Sequence, residues 1–327
     1  MRLGLYVDMR NPPRWERSWD RHYGRWLERL EEAERLGAPS VWLTEHHFFD
    51  DGYLPQCWIY AAAIAARTSR LRIGSAVSLL PLHNPLEFAE QIALADVISG
   101  GRIEPGFGVG YRKPEYVAFG GDFKRRYLEF EDRIGALRAL WGEIPGAERT
   151  VTPAPIQRPV PMWGGFGGPR GAGLAGRLGL GLQSLDRALL EPYLAGLRAG
   201  GHDESSARMG HTVQFFLSDD PEKAWSQISD HVSYRWLSYN RYMYEGTRRE
   251  AAPPAYFDPD SIRDEVLIGT PDQVAAAIRA RVAGLPVTDV FFWADFPGLS
   301  DELIDRHIEL SLTELAPRLA ADDGSPA

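Results

Sequence analysis

Eight short apolar runs recur along the chain, separated by segments whose apolar residues fall at helical spacing. Strands are expected at Leu3–Val7, Ser40–Leu43, Leu71–Leu80, Arg102–Phe107, Val160–Trp163, Leu180–Gln183, Met209–Leu217 and Asp289–Trp293. Helices are expected at Tyr23–Leu36, Tyr60–Thr68, Pro85–Ile98, Arg126–Trp141, Ala172–Leu178, Leu189–Ala199, Pro221–Leu237, Pro271–Ala283 and Asp301–Leu315. Strands joined through helices must run parallel, and eight such units suit a closed (β/α)8, or TIM, barrel of the α/β class. A doubly wound open sheet is the alternative, but no dinucleotide fingerprint accompanies these strands. At 327 residues the chain is long for an ordinary domain and normal for a barrel, so residues 1–319 read as one unit.

Two segments interrupt the alternation. Gly110–Lys124 and Arg241–Asp260 are polar, aromatic and Pro/Gly-bearing, too long for ordinary connections, and read as insertions that serve as lids. The tail Ala320–Ala327 is small and acidic and is expected to be disordered.

Composition narrows the function. The 36 Lys and Arg against 45 Asp and Glu give a net charge of −9, with no long basic stripe, which disfavours a nucleic-acid partner. The single cysteine, Cys57, excludes an internal disulfide and a thiolate metal cluster, pointing to a reducing cytoplasm. No signal-peptide pattern or membrane-spanning apolar run is present, so no membrane role is expected.

The chemistry concentrates where the second strand ends. V-W-L-T-E-H-H-F-F, residues 41–49, delivers Glu45, His46 and His47 from a buried strand into what should be the cleft at the barrel's C-terminal face. Adjacent residues in extended chain point to opposite faces, so at most one histidine is expected to face the cleft squarely. An acid–base or hydrogen-bonding role fits that imidazole. The bland alternative has one histidine packing and the other capping a loop. The remaining histidines show no zinc spacing, and no metal site is expected.

A glycine-rich stretch, Gly164-Gly165-Phe166-Gly167-Gly168-Pro169-Arg170-Gly171, follows the fifth strand and opens a helix. Backbone amides at such a helix start suit an anion, most simply a phosphate, with Arg170 adding charge. A flexible loop without a ligand competes with that reading. Glycines at the end of the fourth strand, in R-I-E-P-G-F-G-V-G-Y, remove side chains where a flat ring might lie, although tight packing explains them equally well.

Taken together, T-E-H-H-F-F, R-I-G-S-A-V-S-L-L-P-L-H-N-P, S-G-G-R-I-E-P-G-F-G-V-G-Y and the turn after V-P-M-W-G-G resemble the bacterial luciferase-like flavin-dependent monooxygenases, in order and spacing, over about residues 1–200. The resemblance implies a TIM barrel with insertions. It also implies reduced FMN, often supplied by a separate reductase, that reacts with O2 to give a flavin C4a-hydroperoxide. The substrate would be a small apolar organic molecule, and the assembly a homodimer through the helices after strands two and three (Ala61–Ala66, Leu86–Leu94). Relatives use the deazaflavin F420 and transfer hydride, and a flavin-binding protein without turnover is a third possibility.

By position, the resemblance makes His46 the catalytic histidine and Glu45 its acidic neighbour. Ala76-Val77 falls at a non-prolyl cis peptide on the flavin face, and Gly108-Val109-Gly110 at the flavin-contacting end of strand four. The chain departs from luciferase at Gly108-Val109, where luciferase has a Cys-Arg pair, so one phosphate contact is missing. Gly167, Gly168 and Gly171 match polar phosphate contacts, for which backbone amides and Arg170 would substitute. Trp42, Phe48, Phe49, Tyr111, Tyr116 and Phe119 are expected to keep water out.

Overall fold

The computed structural model describes residues 1–250, 254 and 256–320. Its central sheet is wholly parallel. The strands are β1 (Arg2–Val7), β2 (Ser40–Leu43), β3 in two pieces (Arg72–Ser75 and Ser78–Leu79), β4 in two pieces (Ile103–Glu104 and Gly106–Gly108), β5 (Trp163–Gly165), β6 (Gly181–Gln183), β7 (Met209–Val213) and β8 (Val287–Trp293). β8 pairs with β7 and also with β1, with Val290 beside both His211 and Leu3. The first pieces of β3 and β4 pair through Ile73 and Ile103, and the second pieces through Ser78 and Phe107. Every strand thus has a neighbour on each side, and the sheet closes as a (β/α)8 barrel.

Alternation along the strands sorts the core into two layers. In β1, Leu3, Leu5 and Val7 face the surrounding helices, while Tyr6 points inward to join Trp42, Trp163, Phe291 and Trp293. Trp42 stacks on Phe291 with ring centroids 4.8 Å apart, and Trp163 meets it edge-on at 5.7 Å. A Cβ on Gly74 would lie 2.4 Å from the Trp42 ring, so the indole needs glycine at that position. Below these rings, Glu104 accepts from Trp163 Nε1 and pairs with Arg72, while Arg2 pairs with Asp289. Rings and ion pairs close the N-terminal end, which leaves the C-terminal face for a site.

The helices are α1 (Trp19–Arg35), α2 (Cys57–Arg67), α3 (Pro85–Ser99), α4 (Lys113–Ala118), α5 (Arg126–Leu140), α6 (Pro169–Arg177), α7 (Leu190–Ala199), α8 (Pro221–Tyr244), α9 (Pro271–Val282) and α10 (Asp301–Leu310), with a π turn at Ser311–Leu315 leading into α11 (Ala316–Ala320). Several starts are written locally. Asn84 accepts from the amides of Leu86 and Glu87, Asp220 from that of Lys223, and Thr270 forms a capping box with Gln273. Among the described residues no helix is long and apolar enough to cross a membrane.

Several expected boundaries move. Strand three breaks at a cis Ala76–Val77 peptide, and strand four breaks at Pro105, which has no N–H to give the ladder. Strand five begins at Trp163 rather than Val160, because Pro159 and Pro161 cannot donate, so Gly164 and Gly165 belong to the strand and not to a loop. The expected seventh strand divides after Val213. Its second half, Phe215–Leu217, pairs in a separate two-stranded sheet with Leu267–Gly269, a strand too short to read from sequence. Helix α8 runs on to Tyr244 and absorbs the start of the expected second lid, of which residues 251–253 and 255 lie outside the described residues. The first lid contains α4, packed down through buried Glu115 and Tyr116. Ala320 ends a helix, and the rest of the expected tail, 321–327, lies outside the described residues.

Candidate active site

All four residues of β2 are buried, and the chain leaves the strand as Thr44-Glu45-His46-His47. Phe48 then adopts a left-handed backbone (φ +62°), uncommon for a bulky residue, and turns the chain back over the barrel mouth. His46 is fixed at both ends: its N–H donates to the Leu54 carbonyl (3.1 Å), and its ring Nδ1 donates to Glu115 Oε1 (2.9 Å). The same carboxylate oxygen accepts the His47 amide (3.0 Å) and pairs with Arg112 at 3.3 Å. Arg112 also bonds the His47 carbonyl and Glu245, tying α4 to the end of α8. Burial would raise the Glu115 carboxyl, but the His46 hydrogen bond and charge, the His47 amide and Arg112 outweigh it and hold the group ionised.

Glu45 faces a different set of partners. Its Oε1 accepts from His47 Nε2 (3.1 Å) and His83 Nε2 (2.8 Å), and its Oε2 from the Leu79 amide (3.1 Å). Burial pushes this carboxyl up, yet the charges and hydrogen bonds of His83 and His47 prevail and bring it down to about 2. Glu45 therefore locks β2 to the second piece of β3 beyond the cis bond, while His46 is the histidine turned to the cleft.

The cleft is a cavity of about 670 Å³ reached by Tyr6 from β1, Glu45 and His46 after β2, Ala76 and Val77 in β3, Gly165 and Gly167 around the end of β5, Gln183 in β6 and Tyr239 in α8. Its floor at the cis peptide is shaped by glycine. A Cβ on Gly108 would lie 2.5 Å from one Val77 methyl, and a Cβ on Gly165 2.3 Å from the other. The Val77 side chain sits in the notch those two glycines leave. Gln183 Nε2 donates to the Ser75 carbonyl (2.8 Å), and its Oε1 is buried without a partner. Thr44 Oγ1 and the Tyr111 hydroxyl are likewise unpartnered. All three residues contribute to the lining of the cavity. Nothing lies within 4 Å of a Cβ placed on Gly167 or Gly168, at the start of α6.

Of the residues singled out from sequence, Glu45, His46, Ala76, Val77, Gly165 and Gly167 come together at this cavity. Gly108 acts from behind through Val77. Gly110 has a left-handed backbone (φ +66°) between Leu79 and Tyr116, and the Val109 carbonyl accepts the Tyr116 hydroxyl. Gly164 and Gly171 give room to the Phe166 ring, and Gly168 is the residue before α6. Arg170 is exposed, with its guanidinium 4.8 Å over the Tyr127 ring. Among the expected water-excluding aromatics, Phe49 is packed at 3.9 Å on Tyr242 and Tyr111 lines the cavity, but Phe48 points to solvent and Trp42 lies in the barrel floor.

Sequence reasoning missed Glu115, Gln183 and the tyrosines Tyr6, Tyr53 and Tyr239. They lie in separate parts of the chain, and none of them carried a local signal, because each acts through partners distant in sequence. A larger groove, about 870 Å³ between α1 and α10, is lined by Arg25, Glu28, Arg29 and Asp305, whose charges pair with one another. Among the described residues no cluster of His, Cys, Asp and Glu is arranged to hold a metal ion.

Comparison with known proteins places this geometry. The family model described as luciferase-like monooxygenase matches residues 1–289. The oxygenase component of a flavin-dependent trigonelline monooxygenase from Acinetobacter baylyi is 24% identical, with 97% of this chain and 95% of that protein covered. An F420-dependent glucose-6-phosphate dehydrogenase from Kineococcus radiotolerans is 27% identical over 61% of this chain and 67% of its own. The solved monooxygenase RslO1 from Streptomyces bottropensis superposes with a TM-score of 0.80 at 25% identity, covering 98% of this chain and all of that one (100%).

Proposed function

Because the chain belongs to the luciferase-like monooxygenase family, we propose that it is a monooxygenase using reduced FMN and O2 to oxidise a small, largely apolar organic substrate. The observation that carries this reading is the cavity floor. Val77 is seated between Gly108 and Gly165 in the floor of a cavity of about 670 Å³, and the polar residues Gln183, Thr44 and Tyr111 that line it suit a heteroaromatic with polar groups. Amides around Gly167 and Gly168, with Arg170 just inside α6, would hold the phosphate end.

Reduced flavin, when bound, supplies two electrons and activates O2, one oxygen of which enters the substrate while the other leaves as water. The chain's own residues bind, orient and shield. With Nδ1 held by Glu115, His46 presents Nε2 as the nitrogen able to accept or return a proton at the cleft. Glu45 keeps the strand end that carries His46 registered against the cis-peptide strand. Phe49, Tyr53 and Tyr242 pack as one aromatic wall, and exclusion of water protects a reactive oxidant from discharge.

In this reading residues 1–319 work as one unit, with segments 110–124 and 241–260 covering the cleft. The protein works as a homodimer in a reducing cytoplasm and receives reduced flavin from a separate reductase, as the description of the Acinetobacter relative as an oxygenase component suggests. The F420-dependent relative supports a second reading, hydride transfer from reduced F420, which the loss of an arginine at Val109 also favours.

Titration of the apoprotein with FMN, reduced FMN and F420 separates the two. Tight binding of reduced FMN is the expected result. Preference for F420 would move the protein to hydride transfer, and binding of neither would remove the cofactor assignment.

A further inference from the structure

Three phenol oxygens from three separate elements converge in the cavity. Tyr6 of β1 lies 3.1 Å from Tyr53, which follows β2, and Tyr53 lies 2.6 Å from Tyr239 of α8. Among the described residues these hydroxyls hydrogen-bond only to one another, and all three tyrosines line the cavity that holds His46. We infer that this triad is a cradle for one oxygen atom of the substrate, selecting molecules with an apolar body that carries a neutral hydroxyl or carbonyl group. The inference rests on the reading of the cavity as the active site.

Three hydroxyls carry three donors and six lone pairs, and the two contacts use only two of each, so an O–H and several lone pairs remain for a ligand. Burial, aided by the Asp8 charge, holds Tyr6 above the ordinary phenol range, and burial does the same for Tyr53 and Tyr239, so all three stay donors at neutral pH. The rings are fixed in advance. Tyr6 lies 4.5 Å from Trp293 between ring centroids, and Tyr53 lies 5.0 Å from Phe49 and 4.9 Å from His46. An oxygen held at the triad therefore brings its substrate beside the imidazole. A wall meant only to be apolar would use phenylalanine, since a hydroxyl buried for packing alone loses its water partners.

The layer behind the phenols argues for a neutral oxygen. Arg10 lies 5.4 Å from the Tyr53 ring and 5.5 Å from that of Tyr239, but its guanidinium is ion-paired with Asp51 at 2.7 Å, and Asp8 is buried on the same side. Arg235 acts on Tyr239 from the same layer, so among the described residues behind the phenols two guanidiniums stand against the Asp51 and Asp8 carboxylates. Arg281 lines the cavity beside His211. With the charges behind the phenols offset, a carboxylate gains little from the cradle.

Fluorescence titration of the purified protein with naphthalene, 2-naphthol and 2-naphthoate tests this. 2-Naphthol should bind at least about tenfold more tightly than naphthalene, the worth of one well-made hydrogen bond. That preference should fall to within about twofold in both Tyr53→Phe and Tyr239→Phe, which keep the rings. Equal binding of the two probes, failure of both to bind, a preference that survives both substitutions, or tighter binding of 2-naphthoate would each overturn the inference. Flavin titration of the same variants is read separately. A triad-dependent naphthol preference in a protein that binds neither FMN nor F420 would sink the monooxygenase reading and leave the cradle standing.

Discussion

A buried imidazole beside a carboxylate works through whichever ring nitrogen the carboxylate leaves free, so the partner of His46 matters as much as His46 itself. Glu115 is fully buried and takes Nδ1, which assigns Nε2 to the cleft. Replacing His46 with alanine should leave flavin retention nearly unchanged and cut substrate-coupled turnover at least about tenfold, a typical minimum for a lost acid–base group. Glu115→Gln should lower turnover in wild type but add little in the His46→Ala background, since it acts through that ring. Additive losses in the four-member cycle would detach Glu115 from the mechanism. His46 was legible from the sequence because a strand ending in Glu-His-His is locally anomalous. Glu115 was not, because its partner lies 69 residues away in the chain and a lone glutamate in a polar segment looks like solvent-facing surface.

At the level of elements, the glycines of β4 and β5 define the floor more than any polar side chain does. Gly164 and Gly165 read from sequence as part of an anion-binding loop, but the ladder claims them, with Gly164 beside Phe107 and Gly165 beside Gln183. Their use is spatial, because Val77 occupies the volume a Cβ on Gly165 would need. Gly165→Ala should cost about 1–3 kcal/mol by overpacking and weaken flavin binding. The Val77→Ala substitution, harmful or neutral alone, should recover much of that loss in the double variant, read by denaturant unfolding and flavin titration. A Gly165→Ala protein as stable as wild type would mean the floor can shift and Val77 is not wedged. The helix starts, by contrast, were readable because proline and capping side chains act within a few residues of where they stand.

For the whole molecule, the exposed face of α2 and α3 is more apolar than a free surface needs to be. Ile59 is 70% exposed, and Leu86, Leu94 and Ile98 are also turned outward on these helices, which pack side by side. Sedimentation at micromolar concentration should therefore find a dimer, and Leu94→Glu should convert it to monomer without unfolding it; a monomeric wild type would refute the arrangement. The sequence by itself determined the barrel, the histidine at the end of strand two and the family's motifs, because each is carried by period, composition or contiguous residues. Which side chains share the cavity was decided only by the tertiary structure. Pairing β1 with β2 and laying α8 along the cavity bring Tyr6, Tyr53 and Tyr239 within hydrogen-bond reach, and packing α4 against the strand ends sets Glu115 on His46. Those contacts join residues far apart in the chain, and local sequence holds no trace of them because the chain meets itself there only after the barrel has closed.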